Sequence, residues 1–201
     1  MTVGDDGTVL DVTDSRVLYT CLVGLVAVMR LAELAVSRRN IARLRARGAV
    51  EVGRSLYPWM VAVHTGFLLS CVAEVWLLDR RMIPTVAVLA LALLTAAAAL
   101  RYWVMATLGD RWSTRVMILP DSRPVDGGPF RWLRHPNYLA VVVEFVALPM
   151  VHTAWLTALV FSAANALVLD RRIRTEEAAL ADVGDYSEVM GDRPRFIPGA
   201  K

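Results

Sequence analysis

The sequence predicts an all-α integral membrane protein of about five transmembrane helices, the last two folded into a C-terminal helical hairpin. Three observations lead there. Of 201 residues, 56% are hydrophobic and the mean hydropathy is +0.47, too apolar for an ordinary soluble domain. Five apolar stretches stand out, at about 17–36, 58–78, 84–107, 138–151 and 153–170. The basic residues gather in blocks between those stretches, which explains the pI near 9.2 by membrane topology and argues against a nucleic-acid partner.

Taken in order, residues 1–16 hold four aspartates and no basic residue before Arg16. They lack the cationic front of a cleavable signal, so the first apolar helix is expected to stay. Residues 17–107 are expected to supply three membrane helices, because a crossing helix needs roughly 20 apolar residues at about 1.5 Å each. Cys21 and Cys71 fall within apolar runs and read as small apolar residues, not as a disulfide or metal pair.

The last two stretches need a joint explanation. A single helix over 138–170 would run about 50 Å, well beyond the ~30 Å hydrocarbon core. Pro149 breaks it, and Thr153 is the expected N-cap of the following helix. Residues 138–170 therefore read as a tight hairpin.

Segments 37–57, 108–137 and 171–201 hold six, five and six Arg or Lys, whereas 1–16, 79–83 and 150–153 hold one, two and none. Cationic loops stay on the cytoplasmic side, which predicts the N-terminus outside and both basic loops and the C-terminus inside. The hairpin then returns RRIRTEE (171–177) to the same face as FRWLRHPNY (130–138).

Pro136 suits a first helical turn, placing His135 at a helix entrance whose free N–H groups suit an anion such as a carboxylate. The same stretch fits an interfacial belt, with Trp132 and Tyr138 at headgroup level and Arg131 and Arg134 reaching phosphate. Arg172 and Glu176 lie at i, i+4. They form either a solvated salt bridge or a site in which Glu176 holds an ammonium and Arg172 an acidic substrate group. Within the spans, Arg30 and Glu33 are expected to neutralise each other, and Arg101 to pair structurally with Glu144. Glu74 has no local partner and should face the interior, while His64 and His152 read as hydrogen-bonded helix residues. Rossmann, P-loop, serine-hydrolase and zinc motifs are absent.

GPFRWLRHPNYL, then RIRTEEAAL, then GDYSEVMGDRPRFIP, resemble the C-terminal pattern of isoprenylcysteine carboxyl methyltransferases and their bacterial relatives over roughly residues 100–198. RLAELAVSRRN and YPWMVAVHTGF resemble the subgroup found beside type III polyketide synthases. The resemblance implies methyl transfer from S-adenosylmethionine at the cytosolic membrane face. The cofactor pocket would be built from a catalytic region at 108–201. By position it implies cofactor contacts at His135, Pro136, Asn137, Tyr138 and Glu176, at Phe130 where tyrosine is usual, at Ser122 to Val125 on the preceding loop, and at Arg115. Arg172 matches the family arginine near the substrate.

The implied partners are a lipophilic acceptor and membrane lipid. That acceptor is a long-chain alkylresorcinol or alkylpyrone hydroxyl, or a prenylcysteine-like carboxylate. An NADPH-dependent membrane reductase resembling sterol reductases, and a small transporter, are the alternatives.

Overall fold

A computed structural model describes residues 12–120, 122–182 and 185–196; most of the expected outer tail lies outside them. Among the described residues six α-helices form, α1 (Val12–Ala46), α2 (Tyr57–Leu77), α3 (Pro84–Leu108), α4 (Pro136–Met150), α5 (Trp155–Ala181) and α6 (Tyr186–Met190). Prolines near the starts of α2, α3 and α4 occupy positions where a missing N–H costs nothing. Among the described residues three segments, Asp14–Ala46, Arg54–Leu77 and Pro84–Arg111, are long and apolar enough to cross a membrane. The protein is thus a mostly helical membrane protein. At 15 residues α4 spans about 22 Å, shorter than the hydrocarbon core.

A two-stranded antiparallel sheet was not expected. β1 (Val50–Val52) pairs with β2 (Val116–Ile118) in the register Val50↔Ile118, Glu51↔Met117 and Val52↔Val116. Strands of three residues carry too little alternation to be read in a sequence. The sheet ties the two basic loops together, assisted by Asn40, whose Nδ2 donates to the Trp112 carbonyl at 2.8 Å. At the opposite end, Arg16 meets Asp79 at 2.9 Å and Ser15 Oγ lies 3.2 Å from His152 Nε2.

The core lies between α1, α2 and α4. Tyr19, Val23 and Val26 pack with Phe67, Cys71 and Val75, and with Val141, Phe145 and Leu148. Phe67 and Phe145 stack with ring centroids 4.1 Å apart. Beside this core sit four buried or half-buried charges. Arg101 Nη2 donates to Glu144 at 2.7 Å and Arg30 Nη1 to Glu33 at 2.5 Å, while Arg30–Glu144 (3.5 Å) and Arg101–Glu33 (3.8 Å) close the ring. Two expected pairs have therefore merged into one neutral quartet. His64 Nδ1 donates to the Met60 carbonyl at 2.8 Å.

The hairpin forms with α4 ending at Met150, immediately after Pro149. Thr153, however, is not the N-cap of α5. It adopts a left-handed φ of 53° and gives its hydroxyl to the Arg81 carbonyl at 2.6 Å. The cap comes from Glu74 on α2, whose carboxylate accepts the Leu156 N–H at 3.2 Å and the Thr157 N–H at 2.6 Å and also pairs with Arg80. A carboxylate at two exposed N–H groups satisfies both and opposes the helix dipole, which a local hydroxyl does less well.

Candidate functional site

The antiparallel run of α4 and α5 brings the first turn of α4 against the last turns of α5. Between them, the sheet, the 119–135 loop and α6 lies a cleft of about 210 Å³. Its α4 wall is His135, Pro136, Asn137 and Tyr138; its α5 wall is Arg172, Glu176 and Leu180. Phe130, Ser122 and Val125 line it from the loop, and Arg115 from the approach to β2. All twelve residues that the resemblance implies as cofactor or substrate contacts, Arg123 and Pro124 included, border this one cleft.

Arg172 and Glu176 do not pair directly. Arg172 Nε donates to the Tyr138 hydroxyl at 2.8 Å, and that hydroxyl in turn donates to Glu176 Oε2. Arg172 also gives Nη2 to the Thr114 carbonyl at 2.8 Å and Nη1 to Met60 Sδ at 2.9 Å. It is only 8% exposed and, among the described residues, no carboxylate forms a salt bridge with it. Burial works against its charge, but Tyr138 and Glu176 outweigh burial and hold its pKa above the ordinary value. The cleft thus presents a fixed guanidinium and a separate carboxylate on one helix.

Neighbouring Glu177 has a different task. It accepts from His135 Nε2 (3.0 Å), Arg134 Nη1 (3.1 Å) and Arg195 Nη2 (2.5 Å). Burial alone would raise its pKa; the hydrogen bonds from Arg195 and His135 and the charge of Arg134 hold it below the ordinary carboxylate value. Arg134 and His135 also donate their backbone N–H groups to the Pro194 and Arg195 carbonyls. Glu177 is therefore the clasp joining α4, α5 and the C-terminal segment, leaving Glu176 as the carboxylate turned to the cleft.

Helix α4 offers fewer free N–H groups than its position suggests. Pro136 has none, and Tyr138 and Leu139 donate to the His135 carbonyl at 3.1 Å, which leaves Asn137. Asn137 Oδ1 and Trp112 Nε1 are buried without a hydrogen-bond partner. Both belong to residues lining the cleft. Unpartnered buried polar atoms are costly unless something else satisfies them, and these suit a ligand bearing both donors and acceptors.

Sequence reasoning assigned no role to Glu177, Trp112, Tyr186 or Met190, although the last three border the cleft. Burial first, then the nearby Glu176 and Glu177 charges, pushes Tyr186 up to about 12. The glutamate pair itself was the available signal: adjacent residues on a helix face different ways, so one can serve the cleft and the other the scaffold.

Residues 88–182 match the model of the isoprenylcysteine carboxyl methyltransferase family. An uncharacterised Bacillus subtilis protein, YpbQ, is 36% identical over 166 residues, 82% of this chain and 98% of its own. An uncharacterised Haemophilus influenzae protein is 28% identical over 167 residues, covering 83% and 94%. The fold is similar to that of a eukaryotic intramembrane Ras methyltransferase, with a TM-score of 0.57 at 18% identity. That similarity covers 71% of this chain, and the chain spans about half the length of that enzyme, 53%.

Proposed function

The chain belongs to the isoprenylcysteine carboxyl methyltransferase family, whose members are S-adenosylmethionine-dependent membrane methyltransferases, and from that premise we propose that it methylates an oxygen of a lipophilic acceptor at the cytosolic membrane face. The observation that carries the reading is the separation of Glu176 from Arg172 by the Tyr138 hydroxyl within one cleft. An amino-acid zwitterion needs a carboxylate for its ammonium and N–H donors for its carboxylate; Glu176 and the α4 entrance at Asn137 offer these. Phe130, Val125 and Pro136 offer apolar walls for an adenine, and Ser122, Asn137 and Trp112 have polar atoms for its edges. The residues present fit S-adenosylmethionine on chemistry and on the unpartnered polar atoms alike.

When bound, that cofactor supplies an electrophilic methyl group. What the chain contributes is alignment and exclusion of water. Tyr138 fixes the Arg172 guanidinium, and Arg172 attracts the acceptor oxygen and favours its anionic form. A carboxylate needs no base. A phenol or enol benefits from an electrostatic field that lowers the cost of losing its proton.

The N-terminal motifs favour the polyketide-associated subgroup and hence a long-chain alkylresorcinol or alkylpyrone hydroxyl over a prenylcysteine carboxylate. The N-terminus lies outside, and the cleft with 108–201 lies on the cytoplasmic side of a bacterial cell membrane. Labelled cofactor with purified protein in lipid tests the acceptor. Labelling of alkylresorcinol or alkylpyrone is expected, and labelling of prenylcysteine alone rules the polyketide choice out.

A further inference from the structure

Beside the cleft is a second, small hollow of about 10 Å³, enough for roughly one water-sized group. Arg115, Val116 and Arg172 line both spaces and so form the partition between them. The far wall is Glu51 and Val52 of β1, the turn at Gly53, Tyr57 at the start of α2, and Thr175. Much of that wall precedes residue 88, where the match to the family model begins.

Arg115 is placed by this far wall. Its Nη1 lies 2.5 Å from Glu51 Oε1, and its guanidinium carbon sits 4.1 Å from the centroid of the Tyr57 ring. Thr114, the preceding residue, gives its carbonyl to Arg172, which ties the two arginines to the same short segment. Gly53 adopts a left-handed φ of 64°, and a Cβ there would lie 3.2 Å from Thr175, so the turn is pressed onto α5. Glu51 holds a second arginine, Arg45, at 2.7 Å, and these two partners outweigh burial to keep its carboxyl below the ordinary range.

We propose that Arg115 serves the acceptor: with Arg172 it forms a two-guanidinium seat for the acceptor's oxyanion, and Glu51 is the internal carboxylate that holds Arg115 until that oxyanion arrives. The inference rests on the methyl-transfer reading above. Among the described residues Arg172 forms no direct salt bridge and reaches Glu176 only through the Tyr138 hydroxyl, while Arg115 shares Glu51 with Arg45, so an incoming oxyanion meets two guanidiniums that no carboxylate holds exclusively. Releasing Arg115 costs Glu51 little, because Arg45 remains. A neutral head group does not compete with Glu51 for Arg115, so β1 and α2 act as a filter for acidic or readily ionised head groups. Arg115 is a positioning residue for acceptor charge, in place of the cofactor contact the resemblance implies.

Calorimetric binding to the full chain in lipid nanodiscs tests this, with S-adenosylhomocysteine first and then, on the saturated protein, S-prenylcysteine and a long-chain alkylresorcinol. Arg115→Gln is expected to weaken the acceptor that binds by about tenfold or more, as for a lost charge-assisted hydrogen bond. It should leave S-adenosylhomocysteine affinity within about twofold. Glu51→Gln is expected to tighten acceptor binding, with cofactor affinity retained as the check that the variant is folded. Loss of S-adenosylhomocysteine affinity in Arg115→Gln with acceptor binding unmoved returns Arg115 to the cofactor and overturns the proposal. So do unchanged acceptor affinities in both variants, or no saturable binding of either acceptor to the wild type. A wild type that binds no S-adenosylhomocysteine instead sinks the methyl-transfer reading itself.

Discussion

Glu176 and Glu177 are neighbours in sequence with opposite employment, and the difference is set by which cations reach them. Two guanidiniums, of Arg134 and Arg195, and the His135 ring converge on Glu177, whereas Glu176 accepts only the Tyr138 hydroxyl among the described residues. Because the folded pKa of Glu177 lies below its unfolded value, its clasp contributes stability that is fully present above the ordinary glutamate range. That contribution is lost as pH falls through the lowered folded value. The thermal midpoint of the wild type should therefore fall on acidification below about pH 4.3, the ordinary glutamate value. Glu177→Gln should already be destabilised at pH 7 and show a shallower acid limb, and an equally steep limb in the variant removes the clasp. The sequence made Glu176 legible because the hairpin returns it to His135 and Tyr138. It left Glu177 silent because Arg134 and Arg195, the latter 18 residues on, approach only in the folded chain.

Among the elements, α5 carries both chemical side chains toward its C-terminal end and is anchored at its N-terminal end by a residue of α2. Glu74 supplies the cap that Thr153 was expected to provide. Glu74→Ala leaves two helix-start N–H groups, the Thr157 one buried, and Arg80 without their acceptor, an expected loss of about 2 kcal/mol in thermal or denaturant unfolding. Cofactor affinity should persist at temperatures where the variant is folded. Thr153→Ala should cost less than Glu74→Ala, and the reverse order contradicts the assignment. Helix existence was legible from apolar length and Pro149. The cap was not, since a helix terminus can be satisfied from 83 residues away as well as from one residue before. The β1–β2 ladder was hidden for the same reason, its partners being far apart and its strands three residues long.

For the whole molecule, the Arg30–Glu33–Arg101–Glu144 quartet joins α1, α3 and α4 at the level of the core. The sequence made both charge pairs legible as isolated costs within apolar stretches, but not their fusion, which depends on how the helices pack. Removing one carboxylate leaves two buried or half-buried guanidiniums to share the other. Glu144→Leu is therefore expected to destabilise by about 3 kcal/mol or more. The double variant Arg101→Met with Glu144→Leu should recover much of that loss, and a purely additive double variant contradicts the coupling. A stable quartet keeps α4 seated, and α4 in turn presents His135 to Tyr138 to the cleft.

The central claim is that this cleft holds S-adenosylmethionine through Glu176, and calorimetric titration of S-adenosylhomocysteine into purified protein in lipid tests it most directly. Saturable one-to-one binding is expected, weakened about tenfold or more in Glu176→Gln as a charge-assisted contact is lost. Absence of binding to the wild type, or identical affinity in Glu176→Gln, would contradict it.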